Sequence, residues 1–192
     1  ANVDLKAFNE NFYKDYCSGH LQPVLDTLLY LKKETDVWVE ITNLIIPGAN
    51  DSETELHGMT EWTAENLGTD TVLHFSAFHP DFKVNDRPAT SLQTLRTARE
   101  IARSKGLQYV YTGNVHDSES SSTFCPRCGE LLIESPRSVA APVVTNGGRL
   151  AFTNWNTTPS ASGRAVVGCG GGVTAGGPVE EGGLAHRGDP GG

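Results

Sequence analysis

Strand-like and helix-like stretches alternate at least three times along this chain, and each strand ends in polar or turn residues rather than in more core. The ends read Asp4-Leu5-Lys6, Thr42-Asn43-Leu44-Ile45-Ile46-Pro47-Gly48, Phe78-His79-Pro80 and Tyr111-Thr112-Gly113-Asn114. In a parallel βα sheet or barrel such ends share one edge, and that edge is where ligands bind. Polar residues scattered in sequence would then meet in one site.

Asn2 to Phe8 reads as a short buried strand, and Asn9 to His20 as a polar loop. Pro23 suits a first helical turn, where its missing N–H costs nothing. Val24, Leu25, Leu28, Leu29 and Leu31 recur at helical spacing, and Lys32 and Lys33 complement the helix C-terminus. Val37 to Ile46 is β-branched and nearly continuous in apolar character, as in a strand covered on both faces. Pro47-Gly48 stops it. Ser52 and Glu55 form an S-x-x-E capping box for a helix with Leu56, Met59 and Leu67 on one face, closed by Gly68. Val72 to Phe78 is the third strand. Thr90 or Ser91 caps a helix with Leu92, Leu95, Ala98, Ile101 and Ala102 inward, and Gly106 ends it. Gln108 to Val115 is the fourth strand. The order predicts an α/β fold with a parallel sheet.

The chain has 192 residues, enough for one ordinary domain and an appendage. Hydrophobic residues make up only 38%, and the deficit is local: residues 135–192 hold 14 of the 21 glycines. From Gly168 to Gly192, 11 of 25 residues are glycine. Such a stretch cannot bury enough surface to offset its ordering entropy and reads as a disordered tail. The net charge of −8, with no basic cluster, argues against nucleic acid as a partner. No apolar run reaches the roughly 18 residues of a membrane span, and no segment reads as a signal peptide. Four cysteines without a framework spacing suggest a reducing, cytoplasmic setting. Strand character begins by Val3, as expected of the later part of a longer protein.

After a Ser-rich linker, Ser118 to Thr123, comes Cys125-Pro126-Arg127-Cys128-Gly129. Two thiolates on such a turn can share one zinc ion, and the glycine lets the backbone curl around sulfur. A structural zinc site takes four ligands, so this pair is an incomplete knuckle by itself. Cys17 reads as a plain thiol. His20, His57, His116 and His186 carry no motif, and His74 reads as a packing or lumen residue. Glu53, Glu55, Glu61 and Glu65 read as a solvated helix face.

Taken in order, Val3-Asp4-Leu5-Lys6-Ala7-Phe8, Pro23 to Leu28, Thr42 to Ser52, His74 to Phe82, Tyr109 to Val115 and the Cys125–Cys128 knuckle resemble the AmmeMemoRadiSam-system radical S-adenosylmethionine (SAM) enzymes. These are relatives of the pyruvate formate-lyase activating enzymes. The resemblance covers about residues 2–134. It implies the C-terminal portion of a partial (β/α)6 TIM-like barrel over 1–117, a degenerate zinc-ribbon-like segment with its knuckle at 118–134, and a Gly-rich tail of little likeness over 135–192. It implies S-adenosylmethionine and a [4Fe-4S] cluster as cofactors. The family's cluster ligands form a C-x3-C-x2-C triplet, which is absent here and expected upstream of this chain. Asp4 and Lys6 match the family's D-L-K motif and are implied to bind the cosubstrate, as are Thr42, Leu44 and His79. Cys125 and Cys128 are the implied metal residues. Leu150 and Thr153 stand where the ribbon's second cysteine pair would fall, and Cys169 lies in the tail. The implied activity is reductive cleavage of the cosubstrate for hydrogen abstraction. The implied partners are an unidentified substrate, a protein by analogy with glycyl-radical activation, and an electron donor such as flavodoxin or ferredoxin. No catalytic residue is assigned. A non-catalytic fragment, or an interaction module built on the metal knuckle, stands as the alternative.

Overall fold

A computed structural model describes residues 1–81, 84–135, 143–144 and 150–151. Strands β1 (Asn2–Asp4), β2 (Glu40–Ile45), β3 (Val72–Ala77) and β4 (Val110–Gly113) form one parallel sheet in that order. Helices α1 (Glu10–Cys17) and α2 (Leu21–Glu34) follow β1, α3 (Glu53–Leu67) follows β2 and α4 (Leu92–Ser104) follows β3. The α/β alternation expected from the sequence is present.

The register assigns the two faces. Val3, Ile41, Leu73 and Val110 share one row, and Asn43, Phe75 and Thr112 the next row on the same side. Against them pack Leu25 and Leu28 of α2, Leu56 and Met59 of α3, and Leu95 and Ala98 of α4. Leu28, Leu56, Met59 and Leu95 are each at most 2% exposed, so truncating any one to alanine would cost about 2–5 kcal/mol. The helix starts follow local chemistry. Ser52 Oγ accepts from Glu55 N at 3.3 Å, and Ser91 Oγ accepts from Thr94 N at 3.0 Å. Ser91 is therefore the cap. Thr90 is buried instead, donating to Ile45 O and accepting from Phe78 N.

Four local expectations are corrected. Asn9 to His20 is not a loop: it holds α1, capped by Asn9, whose Oδ1 accepts from Phe12 N at 2.7 Å. Eight residues with two buried side chains show no clear period, and so short a helix depends on packing. Here Phe12 and Tyr13 pack on Ala7, Ile46 and Phe78 at the C-terminal edge of the sheet. Second, β1 ends at Asp4 and β2 begins at Glu40, so both strands are shorter than their apolar runs. Third, Glu55 does not close the capping box. Its carboxylate accepts from Phe8 N at 2.7 Å and from Asn9 Nδ2 at 2.6 Å, so it is no solvated helix-face residue. Fourth, the Ser-rich linker contains a short helix, α5 (Ser118–Ser121), in which the Ser121 and Ser122 hydroxyls donate to the carbonyls of Asp117 and Ser118.

Strands β5 (Thr123–Phe124) and β6 (Leu131–Ile133) then form an antiparallel hairpin, and β7 (Val143–Val144) pairs with β8 (Leu150–Ala151). Of the tail expected over 135–192 only residues 135, 143–144 and 150–151 are described; Thr153, Cys169 and the glycine-rich stretch from Gly168 to Gly192 lie outside the described residues. No described helix is long and apolar enough to cross a membrane.

Candidate functional site

The second face of the sheet is polar. In register, Asp4, Thr42, His74 and Tyr111 form one row, and Leu44, Ser76 and Gly113 the next toward the C-terminal edge. Lys6 lies two residues past Asp4 and ion-pairs with it, Nζ to Oδ2, at 3.0 Å. Both side chains stay open, Asp4 at 53% and Lys6 at 34% exposure, so their charges are available to a ligand. The sheet thus brings Asp4, Lys6, Thr42 and Leu44 to one side. Thr42 donates to Asn2 Oδ1 at 3.0 Å, and Leu44 packs on the cluster around Phe12 and Tyr13. Gly113 keeps its row clear, since a Cβ there would meet Ser76 Oγ at 3.2 Å.

His79 follows β3 at the same edge and is exposed. Its Nε2 donates to Asn114 O at 3.3 Å. Asn114 adopts φ +59 and donates from Nδ2 to Ala77 O at 3.2 Å, which ties the ends of β3 and β4 together. His79 therefore shares the edge with the others while bonding locally to backbone.

Two asparagines unremarked in the sequence hold the Asp4–Lys6 segment. Asn43 is 1% exposed and donates from Nδ2 to Leu5 O at 2.8 Å and to Lys6 O at 3.0 Å. Asn50, 2% exposed, donates to Lys6 O at 2.6 Å and Leu44 O at 2.9 Å and accepts from Ile46 N at 2.7 Å. Tyr13 Oη accepts from Lys6 N at 3.1 Å, and burial raises its hydroxyl above the ordinary range. Past Asp4, where Leu5 N still donates to Thr42 O of β2 at 3.0 Å, the backbone up to Ala7 is thus also fixed by side chains from β2, the β2–α3 turn and α1. Arg87 closes the same edge. Its two terminal nitrogens donate to Pro47 O and Tyr16 Oη, each at 2.7 Å. Gly48, at φ +70, gives it room, because a Cβ there would stand 3.1 Å from Arg87 Nη1. An Asn one turn past a strand-stopping Pro-Gly was the one local signal for Asn50. Arg87 and Tyr13 had none.

Deeper on the polar face, Glu40 is 3% exposed and lies 3.1 Å from His74 Nε2. The His74 ring stacks on Tyr111, with centroids 5.5 Å apart and planes 27° apart. Burial pushes the Tyr111 hydroxyl up to about 12, against the bond it shares with Thr123 Oγ1 at 2.9 Å. His74 thus lies on the polar face of the sheet with a carboxylate partner.

The knuckle forms on the β5–β6 turn. Cys125 N donates to Glu130 O and Gly129 N donates to Cys125 O, both at 2.8 Å, with Gly129 at φ +74. Cys125 is buried and Cys128 exposed. Among the described residues no group of three or more His, Cys, Asp or Glu could hold a metal ion. The described cysteines do not fit a [4Fe-4S] cluster, which needs three convergent thiolates. The paired charges of Asp4 and Lys6 do fit a ligand that carries both an ammonium and a carboxylate.

No protein-family model matches the chain. It is 48% identical over 133 residues to an uncharacterized protein of Methanocaldococcus jannaschii, an alignment covering 69% of this chain. The chain spans only 39% of that relative's length. A crystal structure of a domain of pyruvate-formate lyase-activating enzyme from Bacteroides vulgatus superposes with TM-score 0.51 at 18% identity, over 59% of this chain and 66% of the other. The chain shares the fold of that domain. A radical SAM methyltransferase from Sphaerobacter thermophilus superposes at TM-score 0.47 and 16% identity, over 68% of this chain and 37% of the other.

Proposed function

We propose that the chain is the C-terminal half of a radical SAM enzyme akin to the AmmeMemoRadiSam-system proteins, and that its polar sheet face binds S-adenosylmethionine. The observation that carries this reading is the convergence of Asp4, Lys6, Thr42 and Leu44 on one face, beside His79 at one edge. The likeness to an activating-enzyme domain supports the barrel assignment.

The residues divide the work by chemistry. Asp4 accepts hydrogen bonds from the methionine ammonium. Lys6 orients Asp4 and meets the carboxylate. Leu44 offers an apolar surface to the adenine side, Thr42 a hydroxyl, and His79 a hydrogen bond from the rim. When bound, the cluster and cosubstrate supply reductive cleavage and hydrogen abstraction. The cluster's thiolates come from a segment upstream of Ala1 in the longer protein, and its electron from a flavodoxin or ferredoxin. The substrate is a protein on this reading, by analogy with glycyl-radical activation.

The test uses the longer protein that contains this chain. Asp4→Ala and His79→Ala should each weaken S-adenosylmethionine binding about 10- to 100-fold in calorimetric titration, the loss of one charged hydrogen bond of about 1.5–3 kcal/mol. Circular dichroism should stay unchanged. Unaltered affinity in both variants overturns the assignment.

A further inference from the structure

At the outer edge of β4, away from the polar strand ends, α4 and the β5–β6 hairpin enclose a cavity of about 250 Å³. Arg99, Arg103, Gln108, Tyr109, Cys125 and Pro126 contribute to its wall. Among the described residues no aspartate or glutamate lines it, in a chain of net charge −8. Arg99 and Arg103 lie four residues apart on α4, the spacing that puts two side chains on one helix face. Arg99 is half-buried, and its Nε donates to Val110 O at 3.1 Å. Among the described residues its terminal nitrogens and the Arg103 guanidinium make no hydrogen bond. The nearby carboxylates do not fill that role. Asp117 is engaged by Arg96 at 3.0 Å, and Glu119 acts only at longer range.

Like charges at this spacing repel, and burial adds a cost at Arg99, which is half-buried while Arg103 is exposed. Burial and Arg103 together hold the Arg99 guanidinium below its usual range. The C-terminal end of the α4 dipole accounts for a cation at Arg103. It does not account for a second guanidinium drawn half under the surface beside the first. An anion between the two removes the conflict. A phosphate has three terminal oxygens and can take both planar forks at once, whereas a carboxylate is filled by one.

We propose that this cavity binds a phosphate-bearing small molecule through Arg99 and Arg103. Gln108 and Tyr109 add neutral polar groups at the wall. The cavity meets the polar sheet face at Tyr111, which also lines it, and the proposal does not depend on the radical SAM reading.

The probe is inorganic phosphate, added to the full chain at ionic strength held constant with sodium chloride. The melting temperature should rise saturably with phosphate, and the 31P resonance should broaden on adding protein. Arg103→Gln is the decisive variant, because an exposed side chain without a hydrogen bond can be changed without unfolding the protein. It should lower phosphate affinity about tenfold or more. Arg99→Lys should do the same while keeping the charge. A rise that never saturates, or that survives Arg103→Gln, overturns the proposal. Equal protection by acetate overturns the phosphate assignment.

Discussion

Asn50 shows how one side chain positions a loop past the end of a strand. Its amide donates to two carbonyls and its oxygen accepts one N–H, all at 2% exposure. Asn50→Ala leaves buried backbone groups unpaired, and each such group costs about 1–3 kcal/mol. We expect a loss of about 2–3 kcal/mol in urea unfolding. Asn50→Asp should lose at least as much, because it turns a second acceptor toward the carbonyls of Lys6 and Leu44. A loss below about 0.5 kcal/mol, the scale of an ordinary surface change, would show that water substitutes for the amide. Tyr111 gives a prediction in pH. Burial raises its folded-state value from the ordinary 10.0 to about 12. The fold therefore favours the protonated phenol, and that contribution to stability is complete below pH 10 and disappears as pH rises through 12. Of the five tyrosines, one should ionise near 12 by tyrosinate absorbance, and Tyr111→Phe should remove that late step. Complete titration near 10 in folded protein would mean that the hydroxyl is open to water.

At the scale of elements, α3 and α1 are linked through Glu55. Ser52 serves only its own helix, while Glu55 reaches Phe8 N and Asn9 Nδ2 across 47 and 46 residues of sequence. The two substitutions should therefore separate. Ser52→Ala removes an ordinary N-cap and should cost about 1 kcal/mol. Glu55→Ala also strands a backbone N–H and loosens the residue that caps α1. It should cost about 2 kcal/mol and lower amide-exchange protection across Glu10–Cys17, which Ser52→Ala should leave intact. Equal α1 protection in both variants would sink this coupling. Further ties on α1 include Glu10, which accepts from Leu21 N at 3.0 Å, Tyr13 to Lys6 N, and the Arg87 guanidinium, which bonds Tyr16 Oη and lies 5.7 Å from its ring centroid.

At the scale of the molecule, the described residues form a four-stranded parallel sheet covered by helices on one face and polar on the other. The described cysteines are poorly placed for a cluster. Cys17 stands by itself at the end of α1, and Cys125 and Cys128 share a hairpin turn. Reconstituted anaerobically with iron and sulfide, this chain should gain no [4Fe-4S] absorbance, since such clusters are held by several convergent cysteine thiolates. A stoichiometric cluster on the chain would overturn that expectation and move the cluster ligands onto these residues.

The sequence by itself determined the order of strands and helices, the inward faces of α3 and α4 and the residues that start and stop them. These signals are local: apolar period, a serine at the N-cap, a glycine at the stop. The register rule then brings Asp4, Thr42 and Leu44 to one side once the strands are known to be parallel, so much of the candidate site was legible too. Tertiary structure alone decided α1, the true partner of Glu55, the hold of Asn43 and Asn50 on Lys6 O, and the pairing of buried Glu40 with His74. It also placed the two arginines of α4 beside the knuckle. Each of these depends on groups distant in sequence, such as Arg87 and Tyr16 at 71 residues apart. No local pattern encodes such a contact, because its free energy exists only when both ends have been carried to the same place by the rest of the fold.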